Sequence, residues 1–292
     1  MNLEPLMKHI PKMDWIDDIT SRVRKGEIWQ HSAFVTYYVL LTAFPLVVGI
    51  INWLQQFDQG LAGPVWFVFR IAPYPLAEQI IQDMVQIYES SNVGVLLIAT
   101  ISTVWTVSWT MASTLMGLNR AYGVKQRKNI VVLRILAFLL TFVFAAWITL
   151  IVLLINALTV STIGRWTLFL PLTFVTFCML YYLVPNVVQR IRNVIPGALF
   201  STAALIVAII GYRLFLNQLP EDSTFFTLTG SFMVLLALLQ KMSLAILAGG
   251  SINATFMQMK EGHIGEKNEN SKFVRFLKKV GFKKLLEIKR TQ

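Results

Sequence analysis

The chain has 292 residues, 55% of them hydrophobic and only 14% charged, with a mean hydropathy of +0.61. A soluble domain carries about a quarter charged residues, so this composition excludes an ordinary soluble protein and leaves a polytopic membrane protein. The net charge of +11 raises nucleic acid as a partner, which the placement of the charges decides below; Cys178, the single cysteine, excludes an intrachain disulfide, and His9, His31 and His263 lack metal-site spacing.

Residues 1–30 are polar and mixed in charge, without an apolar core followed by a cleavage site, so no removable leader is expected and the chain should start in the cytoplasm. Within them Asp14 to Lys25 has the pattern of an amphipathic helix, with Trp15, Ile16, Ile19 and Val23 on one face, acids at its start, and Arg22, Arg24 and Lys25 at its close before Gly26. Two placements fit it: an elbow on the inner leaflet, or packing on cytoplasmic loops. The first span is predicted over about 33–54 and contains Pro45, which a membrane helix tolerates. Gln55 to Asn92 is the longest external connection. In it Val65 to Ala72 is too short to span, and Leu76, Ile80, Met84 and Ile87 form the apolar stripe of a helix on the outer face.

The second span, about 93–113, carries no charge and runs into a loop with Arg120, Lys125, Arg127 and Lys128. The third, about 131–158, holds Arg134 one turn inside its cytoplasmic end, where snorkelling is the default. The fourth, about 166–184, ends in Tyr181 and Tyr182 at the inner aromatic belt. Pro196-Gly197 opens the fifth, about 194–216, where Gly197, Ser201, Ala204, Ala208 and Gly211 make one small-residue face for a close neighbour. The last covers about 230–255. A basic tail, 256–292, follows, with a second amphipathic stretch over Lys272 to Leu286 whose natural partner is anionic lipid.

The expected class is therefore all-α, a six-helix transmembrane domain over 33–255 between a cytoplasmic segment, 1–32, and the tail. With the start inside, 21 of the 26 lysines and arginines fall on cytoplasmic segments and two, Arg70 and Arg165, on external ones. That asymmetry accounts for the basic balance without nucleic acid and puts both termini in the cytoplasm. No cofactor is expected. Membrane lipids are the expected partners, and a homo-oligomer is compatible with the sequence.

Four short motifs stand out: Leu118-Asn119-Arg120-Ala121-Tyr122-Gly123-Val124 after the second span, Tyr37-Tyr38 with Phe44-Pro45 in the first, Pro196-Gly197-Ala198 opening the fifth, and Gly249 with Ile252-Asn253-Ala254 closing the sixth. In these, over roughly residues 25 to 260, the chain resembles the YihY/BrkB family of six-span bacterial inner-membrane proteins. The resemblance implies a plasma-membrane protein with cytoplasmic ends. Some relatives carry ribonuclease or virulence-factor labels, and transport or lipid handling is suspected for the family. Where many members have an acidic residue in the last motif this chain has Gly250 and Ser251, and where an aromatic residue is common in mid-span it has Gln240 and Lys241.

Lys241 lies eleven residues into the predicted last span, about 16 Å from its outer end and so near the bilayer centre, with no acid in any span to pair it. An ammonium there costs at least about 2.5 kcal/mol, so it should meet a polar cavity, an anion or helix carbonyls, unless it snorkels. Lys241, Gln240 and Arg213 are the candidate contacts for an anionic group such as a lipid phosphate, with Arg134, Asn119 and Arg120 as further candidates. For Asn119 and Arg120, capping the helix exit is the alternative, and Asn156 and Asn253 could bond across helices. A hydrolytic enzyme is not expected, because Asp17-Asp18 and Glu221-Asp222 are predicted on opposite sides of the membrane and a nuclease needs clustered acids or a positioned acid and base. The function expected is transport or lipid handling of an anionic substrate; a membrane scaffold is the alternative.

Overall fold

The computed structural model describes residues 14–25, 27–57, 60–71, 74–90, 92–125, 130–157, 162–218, 224–262 and 264–265. Its elements are helices: α1 (Asp14–Lys25), α2 (Ile28–Gln56), α3 (Ala62–Ile71), α4 (Tyr74–Glu89), α5 (Val93–Ala121), α6 (Ile130–Ala157), α7 (Thr162–Leu183), a 3-10 turn (Ile191–Asn193), α8 (Ile195–Leu216) and α9 (Thr224–Glu261). The protein is an all-α polytopic membrane protein. Stretches in α2, α5, α6, α8 and α9 are long and apolar enough to cross a membrane, and Thr167–Leu183 in α7 is apolar but shorter. The predicted tail helix over 272–286 and the proposed stop at Gly26 lie outside the described residues.

Burial is distributed as hydrocarbon solvent requires. Large apolar side chains point outward, Phe44 at 77% exposure and Val207 at 70%, while Ser32, Asn52, Ser108, Asn119, Ser201 and Asn253 are buried. Outward hydroxyls return to their own helix: Thr100 Oγ1 donates to the Leu96 carbonyl at 2.7 Å and Thr149 Oγ1 to that of Ala145 at 2.9 Å. This spends no partner from lipid, which has none to offer. α5 starts where Asn92 accepts from Val95 N at 2.9 Å, an N-cap. It ends where Gly123, at φ +69, turns left-handed so that Val124 N reaches the Asn119 carbonyl at 3.0 Å.

The helices meet at two ends. At one, Ile51 of α2 packs with Val68 of α3 and with Ala77 and Met84 of α4, so Ile80, Met84 and Ile87 of the predicted outer stripe have a protein floor. At the other lie the start of α2, the ends of α5, α7 and α9, and the start of α8, together with Arg120, Arg190, Arg192 and Lys260. We refer to it as the basic end. There Leu115, Leu118, Ala137, Tyr181, Ala198 and Leu247 form the main core. The small-residue face of α8 is filled only here: Gly197 and Ser201 are buried, whereas a Cβ on Gly211 would meet nothing within 4 Å.

α1 packs against the end of α9. Asp18 Oδ2 accepts from Thr255 Oγ1 of α9 at 2.6 Å and from Arg22 Nε at 2.8 Å, Arg22 reaches on to Gln258, and Val23 packs on the main core. Asp18→Ala removes the shared acceptor of that latch. Limited proteolysis should then cut within 14–27 faster than in the wild type while the thermal unfolding of the helical bundle hardly moves, because the cost, about 1–3 kcal/mol, falls on α1 alone.

Candidate functional site

Two groups of polar side chains interrupt the apolar packing near the basic end. The first joins α5, α7, α8 and α9. Asn119 Oδ1 accepts from the Asn186 backbone N–H at 2.8 Å, which ties the end of α5 to the segment after α7. Tyr181, fully buried rather than in an interfacial belt, donates to the Ile246 carbonyl at 2.7 Å and lies 2.5 Å from Ser201 Oγ. Its neighbour Tyr182 is exposed. Asn253 Oδ1 accepts from Gly197 N at 2.6 Å, bonding one helix across to the first turn of another. A Cβ on Gly197 would collide with the Gly249 carbonyl oxygen and stand 2.6 Å from Asn253 Nδ2, and one on Gly249 would collide with Tyr181 Oη.

Three of the four motifs singled out in the sequence thus converge on one place. Beside it, the buried Tyr122 phenol lies next to the Gln189 and Asn253 side chains, and Ser251 Oγ is buried without a hydrogen-bond partner among the described residues. Burial pushes the Tyr122 phenol far above its usual range, only partly offset by the neighbouring Asn253 and Gln189 side chains, so it stays neutral. Ser251 is fully buried, and a Cβ on Gly250 would stand 2.8 Å from Leu118 Cδ2.

The second group carries the cations. Lys241 is exposed, with Nζ 5.1 Å from the Trp29 ring, and Gln240 Nε2 donates to Ser32 Oγ at 2.8 Å. Both residues therefore sit level with the first turns of α2, not midway along it. The depth expected from counting differs because α9 is 38 residues long, about 57 Å against roughly 30 Å of hydrocarbon, so its predicted outer end is no marker of the membrane surface. Arg134 is sandwiched against α5: its guanidinium lies 3.3 Å from the Trp109 ring centroid and 5.2 Å from that of Trp105, and it donates to Ser108 Oγ at 3.4 Å. Tyr38 stacks on Trp109, at 5.5 Å and 7°.

Trp29 and Tyr38 are nine residues apart on α2, about 14 Å; Lys241 stands against the first, while Arg134 stands against α5 and is linked to α2 through the Trp109–Tyr38 stack. A polar seam runs beside it, with Thr36 Oγ1 donating to Ser243 Oγ at 3.0 Å and Thr42 Oγ1 lying 3.4 Å from Thr110 Oγ1. Such ring contacts hold a cation at about 0.5–2 kcal/mol each and leave part of its charge available. Arg213 is not part of this group. It is exposed in the last turn of α8, twelve residues or about 18 Å beyond Ser201. Arg120 is exposed at the end of α5, its carbonyl accepting from Gly123 N, while Asn119 is fully buried in the first group. The side chain of Asn156 lies outside the described residues. Sequence reasoning read Tyr181 only as a belt residue and missed Asn186, whose partner lies on another segment and leaves no local pattern.

The family model for Virulence factor BrkB matches residues 19–273. A Bacillus subtilis (strain 168) protein named ribonuclease-like protein YfkH is 24% identical over 267 residues, covering 85% of this chain and 97% of its own length. No solved structure matches. With the helical bundle and the convergence of its motifs at the basic end, the match over most of its length makes this chain a member of the BrkB virulence-factor family of membrane proteins.

Proposed function

We propose that the protein is a plasma-membrane transporter or lipid-handling protein for an anionic substrate, with the basic end and both termini in the cytoplasm. The observation that carries this reading is the pair Lys241 and Arg134, two cations held by indole rings, Lys241 at Trp29 of α2 and Arg134 at Trp105 and Trp109 of α5, with hydroxyls and an amide beside them and no carboxylate paired to either among the described residues. A cation retained near hydrocarbon without a countercharge favours an anion that arrives from outside the fold. The concentration of arginine and lysine at this end supports the orientation.

The test is movement of anionic lipid and of small anions in reconstituted liposomes. Lys241→Leu is expected to abolish it with expression unchanged, since an exposed side chain is replaced by one that lipid accepts. Unaltered movement would remove Lys241 from the mechanism. A scaffold that recruits partners is the second reading, favoured by the latch of α1 onto α9, and it needs no movement of substrate at all. Ribonuclease chemistry is not proposed. Asp17 and Asp18 lie on α1 with Asp18 taken up by Arg22 and Thr255, and Glu221-Asp222 lie outside the described residues.

A further inference from the structure

Where α8 begins and α9 ends, Arg192, Asn193 and Pro196 face Phe256, Met259 and Lys260 across an open hollow of about 370 Å³. Arg192 and Lys260 are exposed, and neither is in an ion pair among the described residues. The one carboxylate next to it in sequence, Glu261, accepts at Oε1 from Nδ2 of the lining Asn193 at 2.9 Å. Around the two cations the surface is apolar. Ile191 and Met259 are each 64% exposed, Leu199 57%, and Phe200 and Phe256 42%.

Cations alone would fit a soluble anion, and bare apolar side chains alone would fit lipid tails. Both on one surface, with the charges toward the basic end and Leu199 and Phe200 further along α8, match a molecule that is anionic at one end and hydrocarbon along its length. We propose that this hollow binds an anionic phospholipid, its phosphate between Arg192 and Lys260 and an acyl chain along Leu199, Phe200 and Phe256. Basic recesses between membrane helices take such headgroups for the same reason: the charge pairs where water is scarce while the chains stay in hydrocarbon. The site stands apart from Lys241 and Arg134 and does not depend on transport.

The experiment counts lipids retained by the full chain in detergent, by native mass spectrometry, after incubation with phosphatidylglycerol or phosphatidylcholine. The wild type should retain phosphatidylglycerol in preference. The double variant Arg192→Gln with Lys260→Gln, two exposed positions whose change leaves the core intact, should lose that retention by roughly tenfold or more. Arg190→Gln, an exposed cation outside the hollow, should keep it, and millimolar inorganic phosphate should not displace the lipid. Equal retention of the two lipids, an unaffected double variant, an equal loss in Arg190→Gln, or displacement by phosphate would each overturn the proposal. Retention is read without any flux, so failure of the Lys241 assay and failure here are separate results.

Discussion

Gly197→Ala and Gly249→Ala should each cost about 3 kcal/mol or more, seen as a lower midpoint of thermal unfolding and a smaller yield of monodisperse protein in detergent. Helix propensity alone predicts the opposite sign, since alanine is favoured over glycine in a helix interior by about 1 kcal/mol. Packing decides. The added methyl at 197 meets the Gly249 carbonyl oxygen and, at 2.6 Å, Asn253 Nδ2; the one at 249 meets Tyr181 Oη and, at 2.7 Å, Ser201 Oγ. Backbone cannot step aside as the tip of a flexible side chain can, so α8 and α9 must separate and loosen the Tyr181 and Asn253 bonds with them. Gly211→Ala is the internal control. With nothing within 4 Å of its Cβ it should leave stability unchanged or raise it slightly, and a loss there equal to that at 197 would refute the packing argument.

Asn253→Ala should cost about 2 kcal/mol by the same measurement. Gly197 is in the first turn of α8, where backbone N–H groups lack an acceptor within their own helix, and Asn253 Oδ1 supplies one at 2.6 Å from a neighbouring helix. Removing it strands a buried donor, at about 1–3 kcal/mol, where neither water nor lipid can replace it. Two readouts separate that bond from mere loss of volume. The Gly197 amide should exchange its hydrogen faster in Asn253→Ala, and Asn253→Leu, which restores bulk without an acceptor, should not recover the wild-type midpoint. Recovery in the leucine variant would mean that packing, not the hydrogen bond, holds the two helices.

The helices were legible because hydropathy is a local property: the uncharged run of 93–113 and the stripe through Ile80, Met84 and Ile87 each announce themselves within their own residues. The small-residue face of α8 was legible too, but only as a face. That Gly249 fills it, and that Tyr181 caps the junction, depends on contacts between residues 20 to 68 positions apart, which periodicity does not carry. Lys241 shows the other limit. Counting residues from a predicted helix start assumes that the helix begins at the membrane surface, and α9 is too long for that assumption, so the contacts with Trp29 and Ser32 moved the ammonium toward the basic end. Asn119 was legible as a residue with a role at a helix exit but not as the acceptor for Asn186, since nothing near either residue marks the other.

The meeting of α8 and α9 at Gly197 and Gly249 has a mechanical consequence. Two strands of main chain in direct touch, keyed by a tyrosine and an asparagine, cannot shear past one another by a helical turn without driving a side chain into a carbonyl. Rearrangement of this pair is thereby confined to swinging about that fulcrum, with the largest travel at the far tips, where Gly211 has empty space beside it.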